Sequence, residues 1–301
     1  MEQALTMTLS ARAKINLYLD ILSRRENGYH NIQSIMQSLE LCDTVTLTRR
    51  AAGEGISVET DAAGLPTDRR NLAYRAAELF SSLSGETPDV AIRIEKRIPM
   101  AAGLGGGSAD AAAVLRGLNR LYEINAPASA LCELGARLGA DIPFCIAGGA
   151  MIAEGIGEIL TPCRGLSERI WITVACGGEG ISTPQAYGRL DGMYGDFAIP
   201  RATGAHFLPL CRALESDDVP AIGAHTYNIF EQAVLPTHEV APGLLALMRE
   251  GGAFAARMSG SGPSVFGLFT EERAARETAG QIGHRMGIRA FVTRAAGAEN
   301  D

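Results

Sequence analysis

The chain has 301 residues, 47% hydrophobic and 20% charged, enough to bury a substantial core and inconsistent with a disordered chain. Acids outnumber bases 34 to 27, for a net charge of −7, which argues against a general nucleic-acid binder but leaves room for a local basic pocket. No run of about 18 apolar residues is present to span a membrane, and Met1 to Leu5 show no leader pattern. Cys42, Cys132, Cys145, Cys163, Cys176 and Cys211 have neither metal-ligand nor disulfide-framework spacing, so core thiols in a cytoplasmic protein are expected. Oligomeric state is left open.

Ala13, Ile15, Leu17, Leu19 and Ile21 alternate with Lys14, Asn16, Tyr18 and Asp20, which predicts a half-buried strand over 13–21. Asn27-Gly28 marks a turn. Ile32, Ile35, Met36 and Leu39 have helical spacing, yet Ile32, Ser34 and Met36 fit a strand, so this segment stays open between the two. Val45 with Leu47, then Val90, Ile92 and Ile94, predict further strands. Apolar spacing predicts helices over 71–83 and 108–122, and Ser129 can cap another that ends at Gly139. The turn-rich region 148–162 is the expected domain boundary, dividing the chain into 1–155 and 156–301. Strands follow at 171–175, 254–258, 265–269 and 288–292, helices at 244–250 and 271–286. The stretch 177–205 reads as irregular and of the kind that borders a site. Without strict strand–helix alternation the fold class is α+β.

Between the strand ending near Ile94 and the helix from Ser108 lies Pro99-Met100-Ala101-Ala102-Gly103-Leu104-Gly105-Gly106-Gly107-Ser108-Ala109-Asp110. Four glycines in five positions let the backbone approach a ligand and its N–H groups point one way. The helix that follows offers its N-terminal N–H groups and dipole to an anion. This is a phosphate cradle, but no Gly-Lys-Ser/Thr follows as in a Walker A loop. Nor is there the acidic residue about 20 positions on that a Rossmann site uses. A flexible surface loop is the plain alternative; the strand-to-helix setting and the adjoining Lys96-Arg97 favour the cradle.

The run P-x-x-x-G-L-G-G-G-S-x-D-A-A resembles the central motif of the GHMP kinases, relatives of galactokinase, homoserine kinase and mevalonate kinase. Its triple glycine resembles the branch that acts on 4-diphosphocytidyl-2-C-methyl-D-erythritol. Ala13-Lys14-Ile15-Asn16-Leu17 with Gly28-Tyr29-His30, Leu138-Gly139-Ala140-Asp141-Ile142-Pro143-Phe144, and Met258-Ser259-Gly260-Ser261-Gly262-Pro263-Ser264 resemble three further elements of that branch, in order. The resemblance implies a two-domain α+β fold, with an N-terminal domain like the second domain of ribosomal protein S5 and a ferredoxin-like C-terminal domain. The site then lies in the cleft between them. It also implies ATP-dependent phosphorylation of the substrate's 2-hydroxyl, in non-mevalonate isoprenoid precursor synthesis, with ATP as donor and Mg²⁺. Another small alcohol as acceptor, or nucleotide binding without turnover, are the competing readings.

Carried onto this sequence, the resemblance makes Lys14 and Asp141 catalytic. It places ATP against Asn71, Leu72, Lys96, Pro99, Met100, Ala101, Ala102, Gly103, Leu104, Gly105, Gly106, Gly107, Ser108 and Ala109. The cytidine diphosphate substrate falls to Asn16, Tyr29, His30, Tyr187, Gly260, Ser261 and Gly262, and Ser108 is the candidate Mg²⁺ ligand. From the residues alone, Lys14 could equally be a solvated lysine, Asp141 and Ser108 helix caps, Tyr187 surface packing and Gly260-Ser261-Gly262 a hairpin. Ala101 and Ala109 replace the family's usual glycine and serine. In Asn228-Ile229-Phe230-Glu231, Ile229 stands where the family carries an acid.

Overall fold

The computed structural model describes residues 5–100, 103–195 and 205–299. Its spine is an antiparallel hairpin of β1 (Thr6–Arg24) and β2 (His30–Arg49). The predicted turn joins them, with Gly28 at φ +84° and Arg25 N–H donating to Tyr29 O at 2.7 Å. Segment 32–39 is strand, because its backbone pairs with β1 on one side and with β5 (Ala150–Glu154) on the other. β2 also pairs with β4 (Val90–Glu95), which runs parallel to β3 (Ile56–Thr60). β6 (Ile159–Pro162) on β5 and the short β8 (Tyr227–Asn228), parallel to β1, complete a seven-stranded sheet.

At 19 residues β1 spans roughly 60 Å, and it passes through three hydrophobic clusters in turn. Leu9 and Ala11 lie under α1 (Leu72–Ser84) and α2 (Gly106–Leu121). Ala13, Ile15 and Leu17 pack with residues of the second sheet, and Leu19 and Ile21 with its helices. The strand is therefore buried on both faces over 13–21, not half-buried as alternation alone predicts. A register shift between Asn16 and Tyr18 also breaks the alternation. It sends Tyr18 into the second cluster, 5.4 Å from the Phe207 ring, instead of leaving it beside Lys14 and Asn16.

The second sheet holds β7 (Trp171–Ala175), β9 (Ala255–Met258), β10 (Val265–Phe269) and β11 (Ala290–Arg294) in the antiparallel order β11-β7-β10-β9. That is the ferredoxin-like order, with α9 (Ala241–Glu250) and α10 (Glu272–Met286) packed against it. Segment 177–205 is not irregular throughout: α5 (Thr183–Tyr194) occupies its middle. Ser182 and Gln185 cap that helix reciprocally, with a proline in its first turn. α3 (Ala128–Ala136) begins after Pro127 without a side-chain cap, so Ser129 is not its cap. α4 (Ile142–Ala147), α6 (Phe207–Ser216), α7 (Val219–His225) and α8 (Phe230–Val234) complete the helices.

The last described residues return to the first sheet. Ala296 N–H donates to Ser38 O, and Gln37 Nε2 donates to the carbonyls of Gly149 and Ala296. The Glu299 carboxylate sits 3.1 Å from Arg12 Nε and 2.5 Å from an Arg116 nitrogen. Among the described residues no helix is long and apolar enough to cross a membrane.

α2 lies close on the hairpin because its buried face is largely alanine, with Gly117 over Leu9 and Leu47. A Cβ at 117 would approach Leu47 Cδ1 to 2.4 Å and Leu9 Cδ1 to 2.7 Å. Gly117→Val should therefore lower stability by about 1–3 kcal/mol through overpacking, read from urea denaturation. A loss under about 0.5 kcal/mol would show that the two leucines repack freely.

Candidate active site

Burial decides what Lys14 is. Its side chain is 5% exposed, so it is not a solvated lysine. A buried ammonium needs partners. Nζ donates to Asn16 Oδ1 at 2.8 Å, Asn16 Nδ2 donates to Ser34 Oγ at 2.8 Å, and Ser34 Oγ donates to Tyr18 O at 2.6 Å. This relay orients the Asn16 amide, which anchors the Lys14 ammonium. The Asp141 carboxylate lies 3.7 Å from Nζ and is 40% exposed. Asp141 occupies the cap position of α4 but makes no capping bond with its side chain, which leaves the carboxylate for the cleft.

The glycine run forms the cleft's other wall. Lys14 N–H donates to Leu104 O at 3.0 Å, stitching the loop to β1. Gly103 (φ +76°) and Gly105 (φ +72°) adopt left-handed backbone, and a Cβ would be blocked at 103 and crowded at 105. At 103 it would lie 2.4 Å from Ser259 O, and at 105 it would touch the Lys14 stem at 3.0 Å. α2 starts at Gly106 with Gly105 as its cap, so Ser108 lies inside the first turn and is not the cap. The N-terminal N–H groups of α2 thus face the cleft, where they suit an anion.

Three adjoining cavities share these walls. A loop cavity of about 500 Å³ is lined by Leu72, Lys96, Pro99, Met100, Gly103 and residues 105–108. A central cavity of about 260 Å³ is lined by Lys14, Asn16, Gly260 and Tyr187 among others. A hairpin cavity of about 520 Å³ lies against Tyr29, His30, Tyr187 and Asp191. Gly103, Ser108, Asp141, Thr183 and Ser261 line both of the first two, while Tyr187 and Thr183 line both of the last two. The three form one cleft, with Lys14 and Asp141 at its middle.

Most of the expected site residues meet here, and Gly262 joins the loop cavity. Three do not. Asn71 turns away because its side chain caps α1, accepting from Ala73 N–H at 2.9 Å and donating to Pro66 O at 2.7 Å. Leu104 and Ala109 point into the hydrophobic clusters, which take apolar side chains more favourably than a wet cleft. Ala101 and Ala102 lie outside the described residues.

In the hairpin cavity His30 Nε2 pairs with Asp191 Oδ1 at 2.7 Å, and the ring stacks on Tyr187 at 4.7 Å. Tyr187 in turn meets Phe230 edge-on at 4.9 Å, and burial pushes its hydroxyl pKa up. Tyr187 is therefore an inner wall, not surface packing. Tyr29, at the hairpin tip, is exposed.

Sequence reasoning missed Asp43, Asp110, Thr183 and Asp191. Thr183 was findable, since Ser182 and Gln185 spell a helix start with Thr183 in its first turn. Asp110 stands inside the glycine-loop motif as its acid, whereas Asp43 and Asp191 have no local signal. Asp43 and Asp110 both hold the Lys96 ammonium beneath the loop, with Asp110 Oδ2 at 2.8 Å. Asp43 Oδ1 also accepts the N–H groups of Arg97 at 2.5 Å and Ile98 at 2.8 Å. Burial would lower the Lys96 pKa, but the charges of Asp110 and Asp43 outweigh it and raise it. Burial likewise drives the Asp110 carboxyl up to about 7, against the pull of Lys96. Thiols follow the same rule: desolvation pushes the part-buried Cys163 to about 11, and the part-buried Cys132, Cys176 and Cys211 and the buried Cys145 also rise.

Asp110 therefore keeps its proton in the folded chain above the ordinary carboxylate value of 3.8, where the unfolded chain has released it. Its contribution to stability is present below about pH 4 and is lost as pH rises through about 7. Asp110→Asn should flatten that fall, compared as urea midpoints at pH 5 and pH 8. An unchanged difference would mean that Asp110 is ionised throughout.

Residues 71–149 match the family model described as GHMP kinases N terminal domain, and residues 212–287 match GHMP kinases C terminal. A protein named 4-diphosphocytidyl-2-C-methyl-D-erythritol kinase from Alkaliphilus metalliredigens is 43% identical over 261 residues, 87% of each chain. One of the same name from a Synechococcus species is also 43% identical, over 96% of this chain and 94% of its own. A crystal structure of 4-(cytidine 5'-diphospho)-2C-methyl-D-erythritol kinase superposes with a TM-score of 0.78 at 32% identity, covering 97% of this chain and all of that one. Homoserine kinase from Cytophaga hutchinsonii shares the fold at a TM-score of 0.74 and 17% identity. With both halves matched and relatives aligned along most of its length, the chain belongs to the GHMP kinase family.

Proposed function

We propose that this protein transfers the γ-phosphoryl group of ATP to the 2-hydroxyl of 4-diphosphocytidyl-2-C-methyl-D-erythritol, in the non-mevalonate route to isoprenoid precursors. The observation that carries the proposal is the continuity of the three cavities, with a buried lysine and a half-exposed aspartate where the central one meets the loop. ATP occupies the loop cavity, its phosphates against the N–H groups of 106–108. The methylerythritol lies in the central cavity beside Asn16. The cytidine enters the hairpin cavity, between Tyr29 on one side and the His30–Tyr187 stack on the other. The relatives' names supply the substrate; the cavity sequence suits a ligand with an aromatic base at one end and an alcohol at the other.

In the reaction the acceptor oxygen attacks the γ-phosphorus, the bond to the β–γ bridging oxygen breaks, and ADP leaves. Asp141 accepts the hydroxyl proton as the P–O bond forms. Lys14 places its ammonium beside the oxygens on which charge develops, preorganised by Asn16. Positioning and charge stabilisation supply most of the rate in phosphoryl transfer.

Among the described residues there is no cluster of three or more His, Cys, Asp or Glu able to cage a metal. Ser108, which lines both the loop and central cavities, offers one hydroxyl oxygen there. A single protein oxygen fits Mg²⁺, which keeps several waters and binds largely through substrate phosphates. Ser108 would hold the ion, whose chemistry is to neutralise charge on the transferring phosphates.

ADP release with ATP and 4-diphosphocytidyl-2-C-methyl-D-erythritol, beside homoserine, mevalonate and galactose, tests the reading. Turnover confined to the cytidine compound is expected, whereas turnover only with another acceptor would overturn the roles of Tyr29, His30 and Tyr187. Nucleotide binding without any turnover would leave a non-catalytic protein. Asp141→Asn should lower kcat by about 10²–10⁴-fold with ATP affinity largely kept; wild-type turnover in that variant would remove Asp141 from the reaction.

A further inference from the structure

Asn228 and Glu231 stand behind the cleft and line none of its three cavities. Both turn their side chains onto one short stretch of backbone. Asn228 Nδ2 donates to Met258 O at 2.7 Å and to Gly260 O at 2.9 Å, while its Oδ1 accepts from Phe230 N–H at 2.9 Å. Glu231 Oε1 accepts from Met258 N–H at 2.8 Å. Met258 ends β9, the edge strand of the second sheet, and these two side chains take both of its main-chain polar groups.

The same element is bonded to β1 through its backbone. β8 pairs Tyr227 with Tyr18 and Asn228 with Leu19, and Ile229 N–H donates to Leu19 O at 3.0 Å. The Ile229 side chain is buried in the third hydrophobic cluster. Position 229, where the family carries an acid, therefore faces the core here, and the polar contacts fall to 228 and 231.

One element thus joins the strand that carries Lys14 and Asn16 to the loop that carries Gly260 and Ser261, although the two belong to different sheets. The loop sits close over Lys14: a Cβ on Gly260 would be 3.4 Å from Nζ. Ser259 Oγ donates to Gly103 O at 3.1 Å, so the two glycine segments also touch. An edge strand has no ladder on its outer side to set its height. Asn228 and Glu231 replace that ladder with three side-chain bonds to the backbone.

We propose that Asn228 and Glu231 are positioning residues for phosphoryl transfer, holding the Gly260-Ser261 backbone at a set height over Lys14. The inference rests on the kinase reading of the cleft. Losing the brace lets the Gly260-Ser261 backbone shift, while the α2 loop, though touched by Ser259, stays bonded to β1 through Leu104 O, so kcat suffers more than nucleotide affinity.

The test compares wild type with Asn228→Ala, Asn228→Asp, Glu231→Ala and Glu231→Gln, measuring kcat, both KM values and the affinity of a non-hydrolysable ATP analogue. Asn228→Ala and Glu231→Ala should lose about 10–100-fold in kcat, as expected for misplacement by about 1 Å, with analogue affinity changed less than about threefold. Glu231→Gln keeps an oxygen for Met258 N–H and should recover to within about threefold of wild type. Asn228→Asp aims a carboxylate at two carbonyls and should lose at least as much as the alanine. Wild-type kcat in Asn228→Ala, a Gln variant as poor as Glu231→Ala, or equal losses in kcat and analogue affinity would each overturn the role. If the Asn228 variants do not fold, the two Glu231 variants decide. Wild-type protein without turnover would overturn the kinase reading and this role together, whereas normal turnover in all variants would overturn this role alone.

Discussion

A single buried charge at the middle of the cleft organises this protein. Lys14 lies on a strand buried on both faces, and a buried ammonium is tolerated only with partners around it. Its partners are Asn16, two residues away, and Asp141, which arrives on the turn before α4, while Leu104 O accepts the main-chain N–H of residue 14. The glycines at 103 and 105 are required by the same closeness, since a side chain at either would strike Ser259 or the lysine stem.

A second lysine shows the opposite solution. Lys96 is held by the buried Asp43 and Asp110 side chains, and contributes little net charge to the loop cavity it borders. Attraction for phosphate there falls on oriented N–H groups at the start of α2. The less compensated cation, Lys14, stands at the junction where phosphoryl transfer is proposed. Charge is thus concentrated where it develops during reaction and balanced where it would only hold the ligand.

Parts of this arrangement were legible in the residues. The glycine loop opening a helix is a local preference, and it is found within two residues of where the spacing places it. β7 and β10 match their apolar runs, because strands buried on both sides favour apolar residues, and the buried Thr173 of β7 donates its hydroxyl proton to Ala275 O. The helix at 183–194 was also announced, by Ser182 and Gln185, but it is weakly apolar and passed for loop. Asn71 illustrates the reverse: the family resemblance places it at the nucleotide, whereas its side chain caps α1. Asp191 meets His30 across 161 residues of chain, a pairing that no window of sequence contains.

The sequence by itself determined the local devices: the glycine cradle, the Asn27-Gly28 hairpin turn, most strands and the helix periods. Each depends on φ preferences or on side-chain alternation within a few residues. Only the tertiary structure decided that Lys14 is buried, that Asp141 is not spent on a cap, and that Lys96 is neutralised. Only it tied the second sheet's glycine loop to β1 through Asn228 and Glu231. The free energy of a charge or an unpaired amide depends on what packs over it, and that packing comes from elements far apart in the chain.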